Sequence, residues 1–166
     1  MLSIEIYAGC MTQKKHFAYL LHHLVFVMGR QSDQVLQERL GIGFSQFKIM
    51  SVLARRPHIQ QKEIANILGQ TEASISRQIK LLTEQGFLQA VPRPENRRER
   101  ITTLTAKGER YTDEAVEILD NFHQPLYDVL SEKQLAALTE NLTAMHERAC
   151  RDSKSGSCYA LLNTTT

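Results

Sequence analysis

Four arginines, Arg93, Arg97, Arg98 and Arg100, fall within eight consecutive residues, offset only by Glu95 and Glu99. A guanidinium is always charged, and its planar fork of donors fits a phosphate or the edge of a guanine. Clustered on a short segment, such side chains suit a polyanion. One arginine can enter a minor groove, where negative potential is concentrated, while its neighbours hold phosphates. A solvated loop with Glu95 and Glu99 as ion-pair partners would look similar in isolation.

A second group lies upstream. If Ile75, Ile79 and Leu82 face inward from a helix over residues 72–85, then Ala73, Ser74, Ser76, Arg77 and Lys80 lie on or near its outer face, behind Thr71 as N-cap. Small hydroxyl side chains at a helix N-terminus allow close approach to base edges. Arg77 can fork onto guanine or grip phosphate, and the N-terminal end of the helix itself favours an anion. An ordinary surface helix would carry similar residues, so the two groups gain meaning from the elements that hold them together.

Those elements follow from the apolar spacing. Phe17, Leu20, Leu21, Leu24, Val27, Met28, Val35 and Leu36 recur at mostly three- and four-residue steps and predict a long helix over 14–40, closed by Gly41. Ser45 is the expected N-cap of a second helix carrying Phe47, Met50 and Leu53, which Pro57 stops. A short helix over 61–68, with Ile64, Ile67 and Leu68 inward, ends at Gly69. The helix capped by Thr71 follows and ends at Gly86, and the pair forms a helix-turn-helix. The period then changes. Residues 87–91 and 101–104 read as two short strands enclosing the arginine-rich segment, a hairpin with a long basic tip.

Thr105 caps a further helix through Tyr111, Ala115, Ile118, Leu119 and Phe122, which Pro125 is expected to kink or interrupt. Ser131 and Gln134 have capping-box spacing ahead of the apolar stripe Leu135, Leu138, Leu142 and Met145. The expected fold class is mainly α (α+β): a winged helix-turn-helix over about 44–105 with a two-stranded wing. Helices over about 14–40 and 106–150 flank it, the part that a family resemblance implies to be a dimerisation domain. Residues 1–13 read as an arm, 14–150 as the domain, and 151–166 as a flexible tail.

The composition agrees. In 166 residues, 42% apolar and 23% charged, there is room for one domain with a hydrophobic core. The net charge of +2 hides an asymmetry: residues 11–110 carry 16 Lys/Arg against 8 Asp/Glu, whereas residues 111–150 carry 2 against 8. The basic part is the one expected to face a polyanion. Cys10, Cys150 and Cys158 have neither paired nor metal-type spacing, which points to a reducing compartment and a cytoplasmic protein. Residues 1–10 have an acidic Glu5 and no basic n-region, unlike a signal peptide; they read as an arm, or Met11 is the natural start. The most apolar stretch, 17–28, contains His22 and His23 and is too short to span a bilayer, so no membrane association is expected.

From Leu40 to Glu114 the chain resembles the MarR family of bacterial winged-helix regulators. The resemblance is carried by Leu40 to Phe47, Gln61 to Ala65, Ser74 to Arg77, Leu81-Leu82 and Gln85 to Leu88. Most specific are the stretch Arg93 to Arg100 and the sequence Leu104-Thr105-Ala106-Lys107-Gly108 that follows it. The resemblance implies an obligate homodimer with intertwined first and last helices, reading a near-palindromic operator in double-stranded DNA, with half-sites about one DNA turn apart. Ser74, Ser76 and Arg77 would enter the major groove, and Arg97 or Arg98 the minor groove. Two positions depart from the family pattern. Asn96 stands where the wing usually carries Asp, and Gln60 stands where a Thr or Ser often caps the third helix.

The resemblance also implies a repressor released by a small aromatic or phenolic effector, with His23, Phe26, Phe47 and Tyr111 as lining residues. Other relatives sense oxidants or metals. The cysteine of the peroxide-sensing branch would align with Tyr19, nine residues after Cys10, and nothing near Cys10 favours its thiolate. His16, His22, His23, His123 and His146 lack zinc-site spacing, and neither metal nor cofactor is expected. No nucleophile-base arrangement, phosphate loop or carboxylate pair indicates an enzyme. The alternatives are a protein-interaction module, motivated by the acidic helices after Tyr111, and a thiol-based redox regulator using Cys10.

Overall fold

The computed structural model describes residues 12–92 and 100–151. Its elements, in chain order, are α1 (Gln13–Leu40), α2 (Phe44–Arg55), α3 (Gln61–Leu68), α4 (Glu72–Glu84), β1 (Leu88–Pro92), β2 (Arg100–Leu104), α5 (Ala106–Tyr127) and α6 (Glu132–Arg151). Most of the arm, residues 1–11, and the tail beyond Arg151 lie outside the described residues, and with them Cys10 and Cys158.

The core is built by α2, α3, α4, the C-terminal part of α1 and the middle of α5. Leu36, Ile42, Ile49, Met50, Ile64, Ile75 and Leu82 are fully buried, and Phe47, Phe87, Leu88 and Leu119 close around them. Burying a side chain of this size stabilises a fold by roughly 1.5–3 kcal/mol, enough in sum to hold three short helices that would not be stable alone.

The capping residues explain where these helices start and stop. Gly41 and Gly69 adopt left-handed conformations, at φ 67° and φ 61°, and turn the chain after α1 and α3. Thr71 Oγ1 accepts from Ser74 N–H at 3.2 Å, and Thr105 Oγ1 accepts from Gly108 N–H at 3.0 Å. Ser45 does not cap α2. Gly43 does, because its N–H donates to Gln46 Oε1 at 2.9 Å and the next amide, of Phe44, donates to Asp33 Oδ1 on α1 at 2.8 Å. At Gln60 the side chain makes no capping bond, and its N–H donates to Glu63 Oε2 at 3.3 Å.

Strands β1 and β2 pair antiparallel, with Leu88 opposite Leu104 and Pro92 opposite Arg100. Phe87 belongs to the turn before β1, its N–H donating to Leu82 O at 2.9 Å. Pro125 neither interrupts nor ends α5. It falls in the last turn, where the helix runs two residues further to Tyr127, so the missing amide costs at most one bond near an end. Ser131 and Gln134 form the expected box at the start of α6: Ser131 N–H donates to Gln134 Oε1 at 2.9 Å, and Gln134 N–H donates to Ser131 Oγ at 3.4 Å.

The apolar periodicity of α1 and α6 does not translate into burial within one chain. Of the α1 stripe only Leu36 is buried, while Phe17, Leu20 and Leu24 remain exposed, as do Leu135, Leu138 and Met145 on α6. Periodicity shows that a helix has an apolar face; it does not say which chain covers it.

Candidate nucleic-acid interface

The turn between α3 and α4 is the three residues Gly69, Gln70 and Thr71. From there α4 runs with Ile75, Ile79 and Leu82 pinned in the core, which leaves Ala73, Ser76, Arg77 and Lys80 exposed on its opposite side. Thr71 is exposed at the N-terminus, and Ser74 is half-buried beside it. The structure thus brings together on one helix all six residues expected there. Lys80 lies 3.9 Å from Glu84 one turn on, an exposed pair too weak to hold it against a phosphate.

Gln70 and Gln78 belong to this face although neither was expected there. Gln70 Oε1 accepts from Ser74 Oγ at 3.3 Å and from Gln78 Nε2 at 3.2 Å. Only Gln78 has a helical signal, its four-residue step from Ser74; Gln70 lies in the turn before the N-cap, where spacing places no side chain.

The far end of α4 is clamped. Lys107 Nζ donates to Gln85 O at 2.8 Å and lies 4.3 Å from the centre of the Phe87 ring and 5.6 Å from that of Tyr111, which packs beside Phe87. Gln46 Nε2 adds a bond to Gln85 Oε1 at 3.4 Å. The root of the hairpin is fixed just as closely. Thr105 N–H and Oγ1 reach Phe87 O at 3.0 and 3.2 Å, and Thr105 Oγ1 donates to Gly86 O at 2.8 Å. Any β-carbon at Gly108 would fall on the Phe87 carbonyl oxygen, which explains why Leu104-Thr105-Ala106-Lys107-Gly108 needs its glycine.

Of the four hairpin arginines, Arg93, Arg97 and Arg98 lie outside the described residues, as does Asn96, and Arg100 opens β2. The hairpin therefore leaves the core directly after α4, on strands whose register is fixed at Pro92 and Arg100.

The four expected effector-lining residues are not gathered at one place in the chain. His23 is exposed and stacks on Tyr19, with ring centres 5.7 Å apart, and Phe26 is exposed on α1. Tyr111 packs on Phe87, centres 4.9 Å apart. Phe47 lines a cleft of about 440 Å³ between α1, α2 and α5 whose walls include Met28, Ser32, Phe44, Arg55 and His123. Helical periodicity places residues on faces but cannot align faces of different helices, which is why the quartet does not meet. In the cleft wall Ser32 Oγ and His123 Nε2 are 3.0 Å apart, both residues being buried. Ser51 is one turn from both Phe47 and Arg55 on α2, and its buried hydroxyl has no partner among the described residues.

Among the described residues, no three His, Cys, Asp or Glu side chains are grouped to hold a metal ion. No described helix is long and apolar enough to cross a membrane.

The sequence model of the MarR family matches residues 40–99, which run from the end of α1 through the helix-turn-helix and the hairpin. The HTH-type transcriptional regulator BilQ of Clostridium symbiosum (strain WAL-14163) is 26% identical over 113 residues, 66% of this chain and 77% of that protein. Two solved structures share the fold. CouR from Rhodococcus jostii RHA1, bound to p-coumaroyl-CoA, superposes with a TM-score of 0.70 at 16% identity over 82% of this chain and 95% of that one. The S. aureus MepR–DNA complex superposes with a TM-score of 0.68 at 22% identity, over 83% and 99% respectively. The segment from the end of α1 through the hairpin thus carries the sequence pattern of the MarR family, and the described residues share the winged helix-turn-helix fold of MarR-family transcriptional regulators.

Proposed function

We propose that the protein is a cytoplasmic repressor that binds a near-palindromic operator as a homodimer and is released by a small organic effector. The observation that carries the DNA reading is the outer face of α4, where Ala73, Ser76, Arg77 and Lys80 are exposed on a helix held rigid by three buried apolar residues. Site geometry on a rigid element is what groove readout requires, because a side chain misplaced by an ångström loses its base contact. The uncovered apolar faces of α1 and α6 support the homodimer, and the DNA in the MepR complex supports the docking mode. Titration of labelled duplex from upstream of the gene, at several salt concentrations, tests the proposal. Equal affinity for that duplex and for random DNA at every salt would end it.

The effector reading rests on the α1–α2–α5 cleft, not on His23, Phe26 or Tyr111. Phe44 and Phe47 supply aromatic walls, Arg55 a cation, and Ser32 and His123 a polar pair. An aromatic ligand with a polar or anionic group matches that lining, and the p-coumaroyl-CoA in CouR is a related case in the same fold. A panel of phenolic and aromatic acids should include compounds that release DNA from the wild type and fail on Val116→Trp, which fills the cleft wall. Equal release from both proteins would move the effector elsewhere.

A further inference from the structure

Ser74 is held at both ends. Its N–H is donated to Thr71 Oγ1 at 3.2 Å, and its hydroxyl hydrogen is donated to Gln70 Oε1 at 3.3 Å. The same Gln70 oxygen takes Gln78 Nε2 at 3.2 Å, so a single acceptor in the turn anchors two side chains along one edge of α4. All three residues are half-buried, sheltered enough to keep these bonds and open enough to meet a ligand on the helix surface.

A serine hydroxyl has one hydrogen and two lone pairs, and when free it rotates to donate or accept as its partner demands. With the hydrogen committed to Gln70, Ser74 offers only acceptor capacity outward. We infer that Gln70 is a positioning residue that sets base preference: by holding the Ser74 hydrogen it makes Ser74 an acceptor that selects an exocyclic amine in the major groove. Cytosine N4 and adenine N6 carry such an amine, whereas guanine offers O6 and N7, both acceptors, at that edge. The inference rests on the reading that α4 enters the major groove.

The test is selection from duplexes randomised across a half-site, sequenced after binding to wild type, Ser74→Ala, Gln70→Ala, the double variant and Gln70→Glu. Ser74→Ala should weaken the preference for an amine-bearing base at one position of each half-site by roughly fivefold or more. Gln70→Ala should weaken the same position, and the double variant should be no worse there than Ser74→Ala alone. Gln70→Glu keeps an acceptor for both donors, so the preference should return even though the added negative charge lowers total affinity. The salt dependence of Gln70→Ala should match wild type, since no phosphate contact is removed.

If Gln70→Ala unfolds the turn by circular dichroism, Gln70→Met, of similar length and without the acceptor, replaces it. A wild-type preference profile in Gln70→Ala or Gln70→Met, alongside an altered one in Ser74→Ala, would overturn the inference. So would a change at a position that Ser74→Ala leaves alone. A wild type with no sequence preference would overturn the groove reading along with it, so the two failures are distinguishable.

Discussion

Ser32 and His123 stand 91 positions apart in the sequence and meet through a 3.0 Å hydrogen bond that joins α1 to α5 inside the fold. Both are buried in the cleft wall, so Ser32→Ala leaves a ring nitrogen without its protein partner. The expected cost is about 1–3 kcal/mol, read as a lower midpoint in urea at unchanged slope. An unchanged midpoint would show that this bond contributes nothing net.

Gly108 is the tightest position among the described glycines, with the Phe87 carbonyl oxygen where a β-carbon would go and Leu104 Cδ2 3.0 Å from it. Backbone cannot retreat as a flexible side chain can. Gly108→Ala should therefore cost about 3 kcal/mol, or roughly 6–12 °C in Tm for a chain of this size. A melt within a degree of wild type would mean that the β2–α5 junction is looser than its hydrogen bonds imply.

The proposed homodimer places the uncovered apolar residues of α1 and α6 between two copies. Leu24→Glu and Leu138→Glu put charge on residues exposed within one chain, so each should leave the core of α2 to α4 folded while halving the mass seen by light scattering. Loss of the helical signal in step with the loss of mass would show that the lobe cannot fold without its partner. A wild type that is monomeric at micromolar concentration would remove the dimer.

Arg77 and Arg98 should separate two kinds of DNA contact. Arg77→Ala on α4 is expected to cost about 1–3 kcal/mol and relax the preference at one base position. Arg98→Ala in the wing is expected to weaken binding to all sequences and to lower the slope of log affinity against log salt by about 1 if the arginine neutralises a phosphate. An unchanged affinity and slope for Arg98→Ala would take the wing out of the interface.

What the sequence disclosed and what it hid divide along physical lines. Local chemistry was legible: Thr71 and Thr105 as N-caps, Gly41 and Gly69 as left-handed turns, the Ser131–Gln134 box, and the inward triplet Ile75, Ile79 and Leu82. Each is decided by residues within about one helical turn. The α2 start at Gly43 was not legible, because the acceptor that fixes it, Asp33, comes from another helix. Nor was the use of Gln70, whose role depends on a side chain bonding across the turn to α4. Nor could spacing say how the expected effector quartet lies in the fold, since only helix packing decides that Phe47 and His123 share a cleft while Tyr111 lies against Phe87.

The lysine at the junction has a mechanical consequence. Lys107 belongs to the first turn of α5 yet donates to the carbonyl that ends α4, while its ammonium lies over the neighbouring Phe87 and Tyr111 rings. The ends of α4 and α5 are thereby tied at one point. Under the proposed docking, a small tilt of α5, the helix that also walls the cleft through His123, would change the angle at which α4 meets a groove. Such a linkage needs no hinge, only a rigid coupling and a lever long enough to turn a sub-ångström shift into a lost fit.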